Sequence, residues 1–309
     1  MDSEECFTIG GTFMDFRRTL SPQLIEALNE EYDRPNSWWK PLIDYPAFIA
    51  AIRKDYLNVY RNGCSIAKIS LVSSELVAET HYKYLVSSKK KPEMIRATGG
   101  DYQYTDPSKY FIPSLSDRKT LIASTDLHGG IEKTGVHKII MSNPNVIDTE
   151  IAFSNEESEK QTDRIDICVV RTDTVVPTLR FIEAKDVSYR GALRSGETTQ
   201  PKVLGQLERY AETLEKYQDD IIEAYRQLLA TVRQLKGNRW LGIGLKSIDT
   251  TKLALDPLPY LAIFGFDGDH QKNPDSIHNH HMQRLISALG KDRVLLKGDP
   301  EGFVNGISK

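Results

Sequence analysis

Apolar and polar positions along the chain change their period several times, and each change predicts an element. From Leu24 to Tyr32 the spacing predicts a short helix, and a second helix is expected around Pro46–Arg53. The next segment, DYLNVYRNGCSIAKISL, alternates in two runs about Asn62-Gly63 and predicts a hairpin turning there. A further strand is expected from Val77 to Val86. The stretch Ser87–Asp117 contains Lys89-Lys90-Lys91, several prolines and GGDYQYTDPSKY; it reads as loop-rich, a boundary or an inserted arm.

The pattern sharpens after Leu127. A helix over Ile131–Met141 closes at Asn143-Pro144, and three strand-like runs follow: VIDTEIAF, RIDICVV and TLRFIEAK. A long helix is expected from Lys202 to about Leu235. Its apolar residues Val203, Leu207, Tyr210, Leu214, Tyr217, Ile221, Tyr225 and Leu228 recur near the helical period, and Pro201 sits near its start. YLAIFGF reads as a buried strand, His281–Leu289 as a helix and RVLLKG as a last short strand. The order implies an α/β fold, a mixed sheet flanked by helices over residues 126–309, preceded by an N-terminal α+β region over 1–125.

Composition narrows the class. Of 309 residues, 39% are apolar and 27% charged, which suits a globular protein with a sizeable core. No run is long and apolar enough for a membrane helix, and the acidic start MDSEECFTIGG is no secretory signal. The three cysteines, Cys6, Cys64 and Cys168, match no zinc module or disulfide framework, so a cytoplasmic setting is expected. The net charge of −3 argues against non-specific nucleic-acid binding by the whole surface, while leaving room for a local patch. There is no Walker-type phosphate loop.

The chemistry concentrates in two of the apolar runs. Asp166 lies inside RIDICVV; Glu183 and Lys185 lie near the end of RFIEAKD, and side chains two apart on a strand share a face. Charges in such runs need compensation. A hard divalent cation supplies it, since magnesium takes one or two carboxylates plus water and substrate phosphate. The Lys185 ammonium would then neutralise charge on the phosphate, or orient or deprotonate the attacking water. A salt-bridged structural cluster is the competing reading.

The combination of Asp166, 16 intervening residues, Glu183-Ala184-Lys185 and a helix entered through a basic loop resembles the PD-(D/E)XK, or restriction-endonuclease-like, nuclease superfamily over about Asp148–Tyr217. The resemblance implies Asp166 and Glu183 as metal ligands and Lys185 as a catalytic residue, with Asp163 a weaker candidate. It implies a Gln on the following helix, matched by Gln206, and a Glu on the preceding one. Glu132 fits that last position, and Glu150 is the alternative metal ligand. It further implies a Mg2+- or Mn2+-dependent endonuclease acting on DNA, in the manner of bacterial restriction and anti-phage defence proteins. The partners implied are nucleic acid and either a second copy or a defence protein. A non-catalytic nuclease-fold scaffold or binding subunit is the alternative. Arg190, Arg194 and Lys202 would bind substrate phosphates and Tyr189 would stack on a base; a solvated loop is the competing reading. His278, His280 and His281 read as a solvent-facing cluster rather than a metal site, because no carboxylate or cysteine set accompanies them.

Overall fold

The computed structural model describes residues 16–80, 84, 94–98, 101–105, 118–153, 164–188, 190–194, 199–266 and 277–303. The first helix, α1 (Pro22–Asp33), starts where Ser21 caps the Leu24 N–H and Pro22 occupies a first-turn position that needs no donor. A short α2 (Lys40–Ile43) leads into an antiparallel meander of β1 (Ile49–Ile52), β2 (Leu57–Arg61), β3 (Cys64–Val72) and β4 (Glu75–Thr80). Asn62 and Gly63 both adopt positive φ between β2 and β3, the two-residue turn that Asn-Gly favours.

Two expectations for this region are corrected. The run around Pro46–Arg53 is strand β1, not a helix. Ala50 and Ile52 enter one hydrophobic cluster while Ile49 and Ala51 enter the other, and a short run buried on both sides carries no period to separate strand from helix. Within Ser87–Asp117, Met94–Thr98 (β5) and Asp101–Thr105 (β6) pair with each other and extend the meander from β4. Lys89-Lys90-Lys91 lie outside the described residues.

Helices α3 (Arg118–His128) and α4 (Ile131–Ser142) precede the second sheet. There β7 (Val146–Ala152), β8 (Arg164–Arg171) and β9 (Thr178–Asp186) run antiparallel in sequence order. Beyond β9 lie β11 (Tyr260–Phe264) and β12 (Val294–Leu296), both parallel, and the short β10 (Ala254–Leu255) also pairs with β9. RIDICVV and RFIEAK are therefore adjacent central strands. α4 covers one face, with Val136, Ile139 and Ile140 against Ile182, Ala184 and Phe264. The other face is covered by α6 (Lys202–Lys216) and α7 (Gln218–Gln234). The helix expected over Lys202–Leu235 breaks at Tyr217; Asp219 and Asp220 in the first turn of α7 favour a new N-terminus there. After β9 the chain passes through the one-turn α5 (Arg190–Leu193), and α8 (Ile277–Leu289) packs on α5.

The two sheets share one core, and the boundary expected near residue 125 falls inside α3. The segment from Arg239 to Gly242 stitches them together. Ala50 N–H donates to Arg239 O (2.8 Å), Leu241 N–H to Ala50 O (3.0 Å) and Gly242 N–H to Val146 O (2.9 Å). Trp240 lies edge-on to Trp39 at 5.7 Å between ring centroids, and Trp39 edge-on to Trp38 at 6.1 Å. Among the described residues no helix is long and apolar enough to cross a membrane.

Candidate functional site

Strand register assembles the charged residues. Ile167 stands opposite Ile182, so the next pair along these antiparallel strands is Asp166 with Glu183. Thr149 stands opposite Ile167 and Ile151 opposite Ile165, which places Glu150 across from Asp166. Three neighbouring strands thus carry one row of carboxylates, Glu150, Asp166 and Glu183, with Lys185 two residues further along β9.

Glu183 is 1% exposed and Lys185 8%. The Lys185 Nζ sits 2.7 Å from Glu183 Oε1 and 3.2 Å from Glu132 Oε1. Asp166 is half-buried, and its Oδ2 accepts from the Ala184 N–H at 2.8 Å. Burial pushes Glu183 up to about 7, despite the ammonium beside it. Burial, then the charge of Glu183, pushes Asp166 well above the usual carboxylate range. Burial alone would lower Lys185, but Glu183, Asp166 and Glu132 outweigh it and hold the ammonium above its ordinary range. One cation therefore faces an excess of carboxylates in a low-dielectric setting. Glu183 Oε2 and Glu132 Oε2 are both buried without a hydrogen-bond partner, an orphaning that normally carries a cost.

Glu132 reaches this point from the layer on the other face of the sheet. It lies in the first turn of α4, and Gly135 lets that helix approach the sheet: a Cβ there would lie 2.2 Å from Phe264 Cε2. The glycine inside α4 is thus a packing requirement. Gly135→Ala is expected to cost roughly 1–3 kcal/mol through overpacking and to shift Glu132 off Lys185. Thermal melts check it; an unchanged melting temperature would show that α4 has room to move.

The corner between α3 and α4 is held from the N-terminal meander. Arg61 Nη1 donates to Ile122 O (3.0 Å), Thr125 Oγ1 (2.5 Å) and Asp126 Oδ1 (2.6 Å), and Asn62 Nδ2 donates to Asp126 Oδ1 (3.0 Å). Gly63 lies under the Lys133 side chain and Gly129 under Asn62.

The other expected residues divide. Gln206 is on the sheet side of α6, but its Nε2 donates to the Tyr210 hydroxyl at 2.6 Å rather than to a carboxylate. Tyr210 in turn donates to Arg164 O at 2.6 Å, and its hydroxyl also neighbours Glu183. Tyr210 was legible only as a core position of the helical stripe; its place four residues after Gln206 was the one available signal. Arg190 opens α5 and Lys202 is exposed at the start of α6. Arg194 is half-buried, and its charge acts on His281. Tyr189, Asp163 and Cys6 lie outside the described residues, as does the side chain of His278. The solvent-facing histidine cluster is corrected for His281, which is 8% exposed; its neighbour His280 is exposed.

The donors around Asp166 and Glu183 are hard oxygens, and two of them are orphaned, so the residues present suit a magnesium ion bound through few protein ligands. Among the described residues no three His, Cys, Asp or Glu side chains converge as a complete ligand set. Comparisons with protein-family models, with curated proteins and with solved structures find no match to this chain.

Proposed function

We propose that this chain is a metal-dependent nuclease that hydrolyses phosphodiester bonds in DNA, after the manner of the PD-(D/E)XK enzymes its central strands resemble. The observation that carries the reading is the Asp166–Glu183 pair, opposed on adjacent strands, with the Lys185 ammonium 2.7 Å from one Glu183 oxygen while the other has no partner. A fully matched structural ion cluster would leave no such atom.

Magnesium, when held by Asp166 and Glu183, supplies Lewis-acid stabilisation of charge on the phosphate. The protein's own part is to place the remaining groups. Asp166 is fixed by the Ala184 N–H, so its carboxylate cannot swing away from Glu183. Lys185, already charged and aimed by Glu183 and Glu132, donates to a phosphate oxygen as negative charge grows there. Gln206 and Tyr210 hold the helix α6 side of the site against Arg164.

Plasmid nicking with magnesium or manganese tests the proposal, with Asp166→Ala as control. Lys185→Ala is expected to lower the rate by roughly 10²-fold or more while leaving metal affinity, read by calorimetry, nearly unchanged. Absence of metal-dependent nicking by the wild-type protein would favour the binding-subunit alternative.

A further inference from the structure

Glu150 adopts φ of 51° in the middle of β7. A residue with a Cβ enters this left-handed region at a cost and stays there only when its surroundings over-determine it. The surroundings here are specific. Asp148, two residues earlier and fully buried, accepts from Arg18 Nε at 2.7 Å, from Arg53 Nη1 at 2.6 Å and from the Tyr225 hydroxyl at 3.1 Å. The same cluster grips the peptide group on either side of Thr149. Its N–H donates to Asp148 Oδ1 at 2.8 Å, and its carbonyl, the one directly before Glu150, accepts from Arg53 Nη2 at 2.7 Å. The Thr149 hydroxyl donates to Asp166 O at 2.8 Å, tying the same point to β8. The strand register also slips between Val146 and Asp148.

We propose that the buried Arg18–Asp148–Arg53 cluster is a positioning device that holds Glu150 in its left-handed conformation, so that its carboxylate completes the row with Asp166 and Glu183. Arg53 and Arg18 come from the N-terminal region and so act on the centre through the backbone of β7. The inference rests on reading Asp166, Glu183 and Lys185 as the reaction centre, where one oxygen of the buried Glu183 has no hydrogen-bond partner. The charge of Glu150 is felt at Asp166, which fits a shared site. Arg164 also lies 3.7 Å from Glu150 Oε2, at the open edge of the row.

The clamp and the chemistry can be tested separately. Glu150→Gly removes the Cβ that makes the conformation costly, and is expected to raise the melting temperature by roughly 2 °C. Arg53→Lys keeps the charge on Asp148 but cannot also reach the Thr149 carbonyl. In that background the gain from Glu150→Gly is expected to vanish, because nothing then enforces the strain; Arg18→Lys is a second background should Arg53→Lys fold poorly. Equal gains in the wild-type and lysine backgrounds, or a lower melting temperature for Glu150→Gly alone, would overturn the clamp. These melts need no activity, so they stand even if the wild-type protein nicks nothing, a result that would count against the reaction centre instead. In the nicking assay, Arg53→Lys is expected to lower kcat by roughly 10–100-fold with little change in KM, and to add no further loss to Glu150→Gln. A further loss in the double variant would show that Arg53 acts other than through Glu150.

Discussion

Asp166→Asn and Glu183→Gln are each expected to reduce cleavage by roughly 10³-fold or more while the protein stays folded and melts higher than wild type. Each substitution removes an oxygen that would hold the metal, and each relieves the crowding of two carboxylates facing one another across neighbouring strands. The stability arm has a definite pH signature in metal-free buffer. Folded Glu183 titrates near 7 against an ordinary 4.5. Between those values the folded protein keeps a proton that the unfolded chain has released, so stability falls as pH rises through the window, by up to roughly 3 kcal/mol. Glu183→Gln should flatten that part of the profile, and adding magnesium to the wild type at the upper end should restore what was lost. Melting curves against pH, with nicking assays on the same preparations, check this. A buried structural ion cluster behaves in the opposite way: removing one partner costs roughly 3–5 kcal/mol, and activity would disappear only as the protein unfolds.

That opposite behaviour is expected a few residues away. Asp148→Ala should lower stability by roughly 3–5 kcal/mol, a fall in melting temperature of roughly 10 °C. Burial alone would raise the Asp148 carboxyl, but Arg53 and then Arg18 more than cancel that, and it is held below its usual range. A depressed carboxylate contributes stability above its unfolded pKa and loses it as pH falls through the folded one. Asp148 therefore stabilises the fold at neutral pH and Glu183 does not, although both are buried on the same face of one sheet. The difference is partnership: Asp148 has two guanidinium groups, a tyrosine hydroxyl and a backbone N–H, whereas Glu183 shares one ammonium with Glu132 and keeps an orphaned oxygen. Parallel melts of Asp148→Ala and Asp166→Asn read the contrast directly; similar losses in both would remove it.

The contrast was only half legible in the sequence. Charges inside RIDICVV and RFIEAKD are conspicuous because doubly apolar runs tolerate them poorly, so Asp166, Glu183 and Lys185 stand out. Asp148 sits in an equally apolar run, but its partners Arg18 and Arg53 lie 130 and 95 residues away, with no local pattern to announce them. The hairpin at Asn62-Gly63 was legible because both residues suit positive φ. The next turn uses Ser73 and Ser74 in the same conformation, and serine advertises no such preference. The break at Tyr217 was hidden because α6 and α7 both direct their apolar stripes at the same cluster, so the period runs on through it.

The chain's three tryptophans are Trp38, Trp39 and Trp240, and all sit at the seam where residues 239–242 join the two sheets. Intrinsic indole emission therefore reports that joint and little else. A change in emission on heating or in denaturant would record separation of the N-terminal meander from the second sheet, whereas loss of order around Asp166 and Glu183 would be optically silent. Comparing emission with far-ultraviolet circular dichroism would show whether the joint parts before the strands do.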